Sequence, residues 1–300
     1  MSAMKHKGLM YSLLVMLLWG LLFPTVKLGY KAFGVAGVGE ILSFAGFRFL
    51  ICGTVITIYA LIRNPKCMGP VKANWISVLL SGLFAIVLHY ACTYMGLSMT
   101  DGSKTAILKQ IGAILFICFS AVFFPNDKLT PGKVFGLILG LCGVLAINAD
   151  LTGIRFGMGD VLIIGASFCT VIANIISKKV FTNVEPIVST GISQLAGGLI
   201  LSVTGLCMGG NIGAFIPKNP QQLLVLGVII AASVISYCLW YINVQRENLS
   251  KLFIIKFAEP LFAAVFGWLL LGENIFNLNY AAAFVLISAG ILVANLKKNR

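Results

Sequence analysis

Long apolar blocks separated by short polar breaks organise this chain. The breaks read NPKCMGP (64–70), TDGS (100–103), PNDKLTPG (125–132), NADLTGIRFG (148–157), TNVEP (182–186), IPKNP (216–220), QREN (245–248) and GENIFN (272–277). Such mixtures of glycine, proline, asparagine and aspartate mark chain turns. A bilayer core about 30 Å thick needs roughly 20 apolar residues per helix, so the blocks predict ten membrane-crossing helices. The first five start near Gly8, Val35, Ala73, Ser103 and Pro131; the second five start near Gly157, Ile187, Gln221, Ser250 and Asn277. Very short breaks join helices three to four and eight to nine, which makes each of those pairs an antiparallel hairpin.

The end of the chain repeats its middle. Laying His89–Asn148 over Ser236–Asn295 without a gap gives 11 identities in 60 positions. Among them are Tyr90 with Tyr237, Tyr94 with Tyr241, Ser103 with Ser250, Lys104 with Lys251 and Lys109 with Lys256. Phe119 with Phe266, Gly143 with Gly290 and Asn148 with Asn295 follow, and the helix ends fall in step. The expected architecture is an all-α integral membrane protein whose ten transmembrane helices form two five-helix repeats, residues 1–152 and 153–300. Five is odd, so the second repeat enters the membrane inverted relative to the first. Inverted repeats mark many secondary transporters, whose substrate lies at the interface between halves that exchange roles in alternating access.

Composition supports the membrane assignment. Charged residues make up 10% of the chain and the mean hydropathy is +0.99, where a soluble domain carries about 25% charge. The 22 Lys+Arg against 9 Asp+Glu give +13. No arginine-rich helix accompanies that excess, so it is expected to anchor loops and not to bind nucleic acid. With the N-terminus inside, the cytoplasmic segments hold Lys5, Lys7, Arg63, Lys66, Lys72, Lys128, Lys133, Lys178, Lys179, Arg246, Lys251, Lys297, Lys298 and Arg300. The other side holds Lys31, Lys104, Arg155 and Lys218. This positive-inside bias puts both termini in the cytoplasm, and a bacterial inner membrane is the expected location. The basic head and apolar run at the N-terminus resemble a signal peptide, but the run passes Pro24 to about Tyr30 without a small-residue cleavage site, as a retained helix would. Eight cysteines without a C-x-x-C pair read as reduced small hydrophobes; neither metal nor cofactor is expected.

Three pieces of sequence carry a resemblance: Trp19-Gly20 with Phe23 and Lys27; Arg48-Phe49-Leu50; and Glu259-Pro260 followed by LFAAVFGWLLLGE, ending at Glu273. On these the chain resembles the drug/metabolite transporter superfamily, specifically its ten-helix type with two EamA domains. Members often have a proline in the fourth and ninth helices, each closing with L-G-E. Here only the ninth fits, since QIGA (110–113) and PND (125–127) stand in the first half. The resemblance implies transport and leaves the substrate open among amino acids and other metabolites, nucleotide sugars, sugar phosphates and choline. Sugar-phosphate exchangers of the superfamily are similar in using lysines on the fourth and ninth helices, with an adjacent arginine where this chain has Phe257.

The candidate site residues are charges and rings placed where lipid discourages them. A lysine at the bilayer centre costs about 2.5–3.5 kcal/mol. Lys109 lies roughly 9 Å down helix four at 1.5 Å per residue, and Lys256 lies equally far down helix nine from the other face. A pseudo-two-fold axis would set both around one cavity. Lys109, Gly112, Ala113, Phe116 and Ser120 share one helix stripe; Lys256, Glu259, Pro260, Ala263 and Gly267 share the other. Glu259 is spaced to pair with Lys256, whereas its counterpart is Gly112, which leaves Lys109 to bind an anion. The alternative is that both lysines snorkel to the interfaces. His89, near mid-depth of helix three, suits a proton-coupling role or a packing one. Tyr90, Tyr94, Tyr237, Trp240 and Tyr241 would line the cavity, or pack helices together. Lys27 and Glu40 at the outer ends of helices one and two, with Arg48 deeper in helix two, suggest local pairing or gating toward the outer mouth, with substrate contact as the alternative. Gly136 and Gly140 form a G-x-x-x-G suited to close helix contact or to a homodimer.

The expected function is secondary transport of a small anionic or zwitterionic metabolite, with protons as a candidate coupling ion. The alternative is export of neutral amino acids or drugs, with structural or proton-relay lysines. The chain has no H-E-x-x-H, G-x-S-x-G or Walker loop, so neither an enzyme nor an ATP-driven pump is expected.

Overall fold

The computed structural model describes residues 2–97, 99, 102–147, 157–273 and 278–295. Arg155, Lys297, Lys298, Arg300, Asn148 and the start at Asn277 lie outside the described residues, as do the side chains of Lys5, Lys7, Ser103, Lys104, Phe119, Ser120 and Asn295.

Every regular element described is helical. The order is α1 (Ser2–Phe33), α2 (Val38–Arg63), α3 (Met68–Ala73), α4 (Trp75–Gly82), α5 (His89–Leu97), α6 (Gly102–Phe123) and α7 (Pro131–Ile147). Then come α8 (Met158–Val180), α9 (Pro186–Cys207), α10 (Pro220–Arg246), α11 (Leu249–Ile255), α12 (Glu259–Leu271) and α13 (Leu278–Asn295). Among the described residues, seven helical segments are long and apolar enough to cross a membrane: Gly8–Phe33, Val38–Arg63, Trp75–Gly96, Met158–Val180, Pro186–Cys207, Pro220–Arg246 and Leu249–Leu271. Pro131–Ala146 and Leu278–Ala294 are shorter apolar helices.

Two of the crossings are broken inside the apolar run. A wide-wound stretch, Leu83–Leu88, joins α4 to α5, and a 3₁₀ turn, Lys256–Ala258, joins α11 to α12. The second break follows from Pro260, in the first turn of α12. Proline has no N–H to give the carbonyl four residues back, which here belongs to Lys256. That carbonyl takes the Glu259 N–H instead, the tighter bond of a 3₁₀ turn. The first half has no proline there, and α6 runs unbroken.

Small residues set the helix pairs. Helices α2 and α9 pack closely and run antiparallel, with Ser43 beside Gly205 and Thr57 beside Gly191. A Cβ on Gly53 would stand 2.6 Å from the Leu195 nitrogen, so the backbones meet where a larger residue has no room. Helix α7 pairs likewise with α13, and Gly136 and Gly140 of the G-x-x-x-G lie against Gly290. The motif that suggested a homodimer is therefore consumed inside the chain. Helix α1 lies on α10 and α12, while α8 lies on α4, α5 and α6. One end of the bundle gathers the start of α1, the ends of α8 and α10, the α6–α7 loop and the start of α11, through Asn243–Ser12, Lys178–Val244 and Asp127–Ser250 contacts. The other end joins Ala32 to Gln222 and Lys27 to Glu273.

Candidate functional site

Rings from α1, α2, α5 and α10 meet in one seam. Phe49 has Tyr90 at 5.0 Å and Tyr237 at 5.8 Å between centroids; Trp19 has Tyr237 at 5.9 Å and Trp240 at 5.0 Å. Tyr94 extends the seam, 5.6 Å from Tyr90. At its centre the hydroxyls of Tyr90 and Tyr237, a matched pair in the repeat, hydrogen-bond at 2.9 Å. Trp240 is fixed by donating its Nε1–H to Asn174 Oδ1 of α8 at 2.8 Å. Tyr241 sits apart, its ring 5.6 Å from Phe181 just past the end of α8.

The matched lysines converge on one helix. Lys109 Nζ lies 5.6 Å from the centroid of Phe23, and Lys256 Nζ lies 5.6 Å from that of Trp19. Trp19 and Phe23 are four residues apart and share a face of α1. A ring face draws a cation through its quadrupole, yet satisfies none of an ammonium's three donors. Lys109 also lies within electrostatic reach of Glu259 and Lys256. Among the described residues Lys256 and Glu259 form no ion pair, contrary to the spacing argument, because the Lys256 ammonium is turned to Trp19. Gly112, the counterpart of Glu259, meets Ser167 of α8, whose hydroxyl donates to the Lys109 carbonyl at 2.9 Å. His89 begins α5 right after the wide-wound stretch, with Nδ1 3.1 Å from the Ala166 carbonyl and 2.9 Å from Thr170 Oγ1. A carbonyl only accepts, so the bond to Ala166 assigns the Nδ1–H tautomer.

The model of the EamA-like transporter family matches residues 6–149 and again 157–296. This chain belongs to that family. It is a membrane transporter of the drug/metabolite type, not an enzyme. An uncharacterized transporter of Archaeoglobus fulgidus is 23% identical over 96% of both chains. An uncharacterized transporter of Bacillus subtilis is 26% identical over 94% of this chain and 90% of its own. A probable amino-acid metabolite efflux pump of Salmonella typhimurium is 25% identical over 97% of this chain and 95% of its own. A solved structure, titled only as the crystal structure of a protein, shares the fold with a TM-score of 0.78 at 19% identity over 96% of each chain.

Two features of this EamA-like transporter have surroundings that the sequence reading did not show. The first is Arg48, 3% exposed, whose guanidinium carbon lies 4.4 Å from the Phe49 centroid and 5.4 Å from that of Tyr90. It does not pair with Glu40, which is eight residues away and caps its own helix by accepting from the Ala36 and Gly37 N–H groups. The second is a buried polar clasp at one end. Asp127 of the α6–α7 loop accepts from Lys133 Nζ at 2.6 Å, from the Ser250 N–H at 3.0 Å and from the Ser250 hydroxyl. Lys133 also donates to the Lys128 carbonyl at 2.7 Å. At the far end the Lys27–Glu273 pair, at 3.3 Å, is solvent-exposed, with side chains 65% and 49% accessible. Such an exposed pair adds little.

Proposed function

We propose that this chain is a secondary transporter of a small anionic or zwitterionic metabolite, worked by alternating access between two inverted five-helix repeats, residues 1–152 and 153–300. The observation that carries the reading is the convergence of Lys109 and Lys256, matched positions of the repeat, on adjacent rings of α1. Their ammonium donors are left to a ligand whose binding offsets the cost of burying them.

The helix pairs support the repeat. Helix α2 lies on its counterpart α9, and α7 on α13. Helix α1 lies on α10 and α12, and its counterpart α8 lies on α4, α5 and α6, their first-half equivalents. Exchanging the halves leaves this pattern unchanged, and the family model's two separate matches agree with it. The clasped end, which gathers Lys128, Lys133, Lys178 and Arg246, is the cytoplasmic one of a bacterial inner membrane, with both termini on that side. In this reading Tyr90, Tyr94, Tyr237 and Trp240 line the substrate path and Tyr241 supports it. His89 and Glu259 carry coupling or gating, with protons as the coupling ion. A dimer gains no support from the glycine motif. The name of the Salmonella relative favours amino acids, zwitterions at neutral pH, as the class to try first.

The test is a thermal-shift screen of purified protein against metabolites grouped by charge, repeated with Lys109→Ala. A ligand that binds only the folded state raises apparent stability by RT ln(1 + [L]/Kd), so weak substrates register at millimolar concentration. Stabilisation by carboxylates or phosphates that disappears in the variant is the expected result. Stabilisation by neutral or cationic compounds in both proteins would make the lysines structural.

A further inference from the structure

Arg48, beside the seam, has donors that are unmet among the described residues. Its Nε and Nη2 are both buried, and neither has a hydrogen-bond partner. Among the described residues no carboxylate lies within ion-pair distance of it. Guanidinium is charged at every physiological pH, so this is a permanent cation beside the rings of Phe49 and Tyr90, with no carboxylate paired to it among the described residues. Those two ring centroids are only 5.0 Å apart, so both rings lie to one side of the guanidinium.

The identity of the orphaned atoms is informative. Nε and Nη2 form one side of the guanidinium fork, and their parallel N–H bonds match the two oxygens of a carboxylate. An ammonium could not reproduce that geometry. Thr93, on the same face of α5 as Tyr90 and Tyr94, has a buried hydroxyl oxygen that is also without a partner. Beside Arg48 the Tyr90–Tyr237 hydrogen bond ties α5 to α10.

We infer that Arg48 is a carboxylate-binding residue of the transport path, holding a monocarboxylate or amino acid through Nε and Nη2 once the Tyr90–Tyr237 bridge parts. The inference rests on the transporter reading and deepens it.

The experiment uses matched probes on the full-length protein in lipid nanodiscs: L-leucine with L-leucinamide, and benzoate with benzamide, each up to 10 mM. Binding is read by tryptophan fluorescence and by thermal shift, in wild type, Arg48→Lys and Lys109→Ala. The expected result is binding of at least one carboxylate but not its amide, weakened tenfold or more in Arg48→Lys. Equal affinity in wild type and Arg48→Lys overturns the assignment; if Lys109→Ala alone then loses binding, the transporter reading stands and only the role of Arg48 falls. Absence of binding by both carboxylates also overturns it. Should Arg48→Lys not be recovered folded, phenylglyoxal labelling of Arg48 in wild type, read by peptide mass spectrometry, replaces it. Protection by carboxylate but not by amide supports the assignment, and equal labelling removes it.

Discussion

Replacing Lys133 with methionine should open the end of the bundle that the Asp127 clasp closes. Both side chains of the Asp127–Lys133 pair are only 4% exposed, so solvent screening gives little relief. Removing one partner of a buried pair costs about 3–5 kcal/mol, because the other charge is stranded. Ser250 still donates twice to Asp127, which places the expected loss near the lower bound, about 3 kcal/mol. At 1.4 kcal/mol per decade, that is roughly a hundredfold shift in a local opening equilibrium. The Ser250 amide is the natural reporter, since its N–H donates to Asp127. Hydrogen–deuterium exchange of the peptide spanning Ser250 should accelerate roughly a hundredfold in Lys133→Met, since amide exchange follows local opening. Peptides in the α2–α9 pair should keep their protection. The double variant Lys133→Met with Asp127→Asn removes both charges and should recover part of the loss, as replaced buried pairs do. Unchanged exchange at Ser250 in Lys133→Met, or simple additivity in the double variant, would refute the clasp.

Lys109→Ala should abolish anion-dependent transport while the protein stays folded, since the Lys109 ammonium faces the Phe23 ring and forms no ion pair among the described residues; unchanged affinity and rate in proteoliposomes would remove Lys109 from the site. His89→Gln should flatten the pH dependence of flux, because glutamine keeps a donor for the Ala166 carbonyl but cannot take up a proton; an unaltered profile would leave His89 as packing. Gly290→Leu should unseat α13 from α7, since even a Cβ there would stand 2.8 Å from the Gly136 carbonyl oxygen. Its apparent melting temperature should fall by several degrees, and a value equal to wild type would contradict the intimate glycine pairing.

Most helix starts were legible because turn residues and apolar runs leave little choice of boundary. Val35 was expected where α2 begins at Val38, Ala73 where α4 begins at Trp75, and Pro131 begins α7 as expected. Breaks within an apolar run were not legible, because hydropathy does not register a change of helical winding. Pro260 carried the signal nonetheless, since its missing N–H pointed four residues back to the carbonyl of Lys256, the charged residue of interest. The pairing weighed between Arg48 and Glu40 rested on a local argument. Glu40 lies two turns away, and nothing in the spacing shows that its carboxylate is already used by two amides of the preceding turn. The Asp127 clasp was hidden for a different reason: its partner Ser250 is 123 residues away, and PND reads as an ordinary loop. Matched tyrosines were visible as a repeat, but their direct hydrogen bond depends on two helices that only tertiary packing brings together.

Counterflow in proteoliposomes tests alternating access most directly. Vesicles containing the protein are preloaded with an unlabelled excess of whichever compound stabilises it, and entry of the labelled compound is followed. Transient accumulation above equilibrium, saturable and lost in Lys109→Ala, is the expected result, because one site must serve both faces in turn. Entry that is linear in concentration and indifferent to the internal load would contradict alternating access.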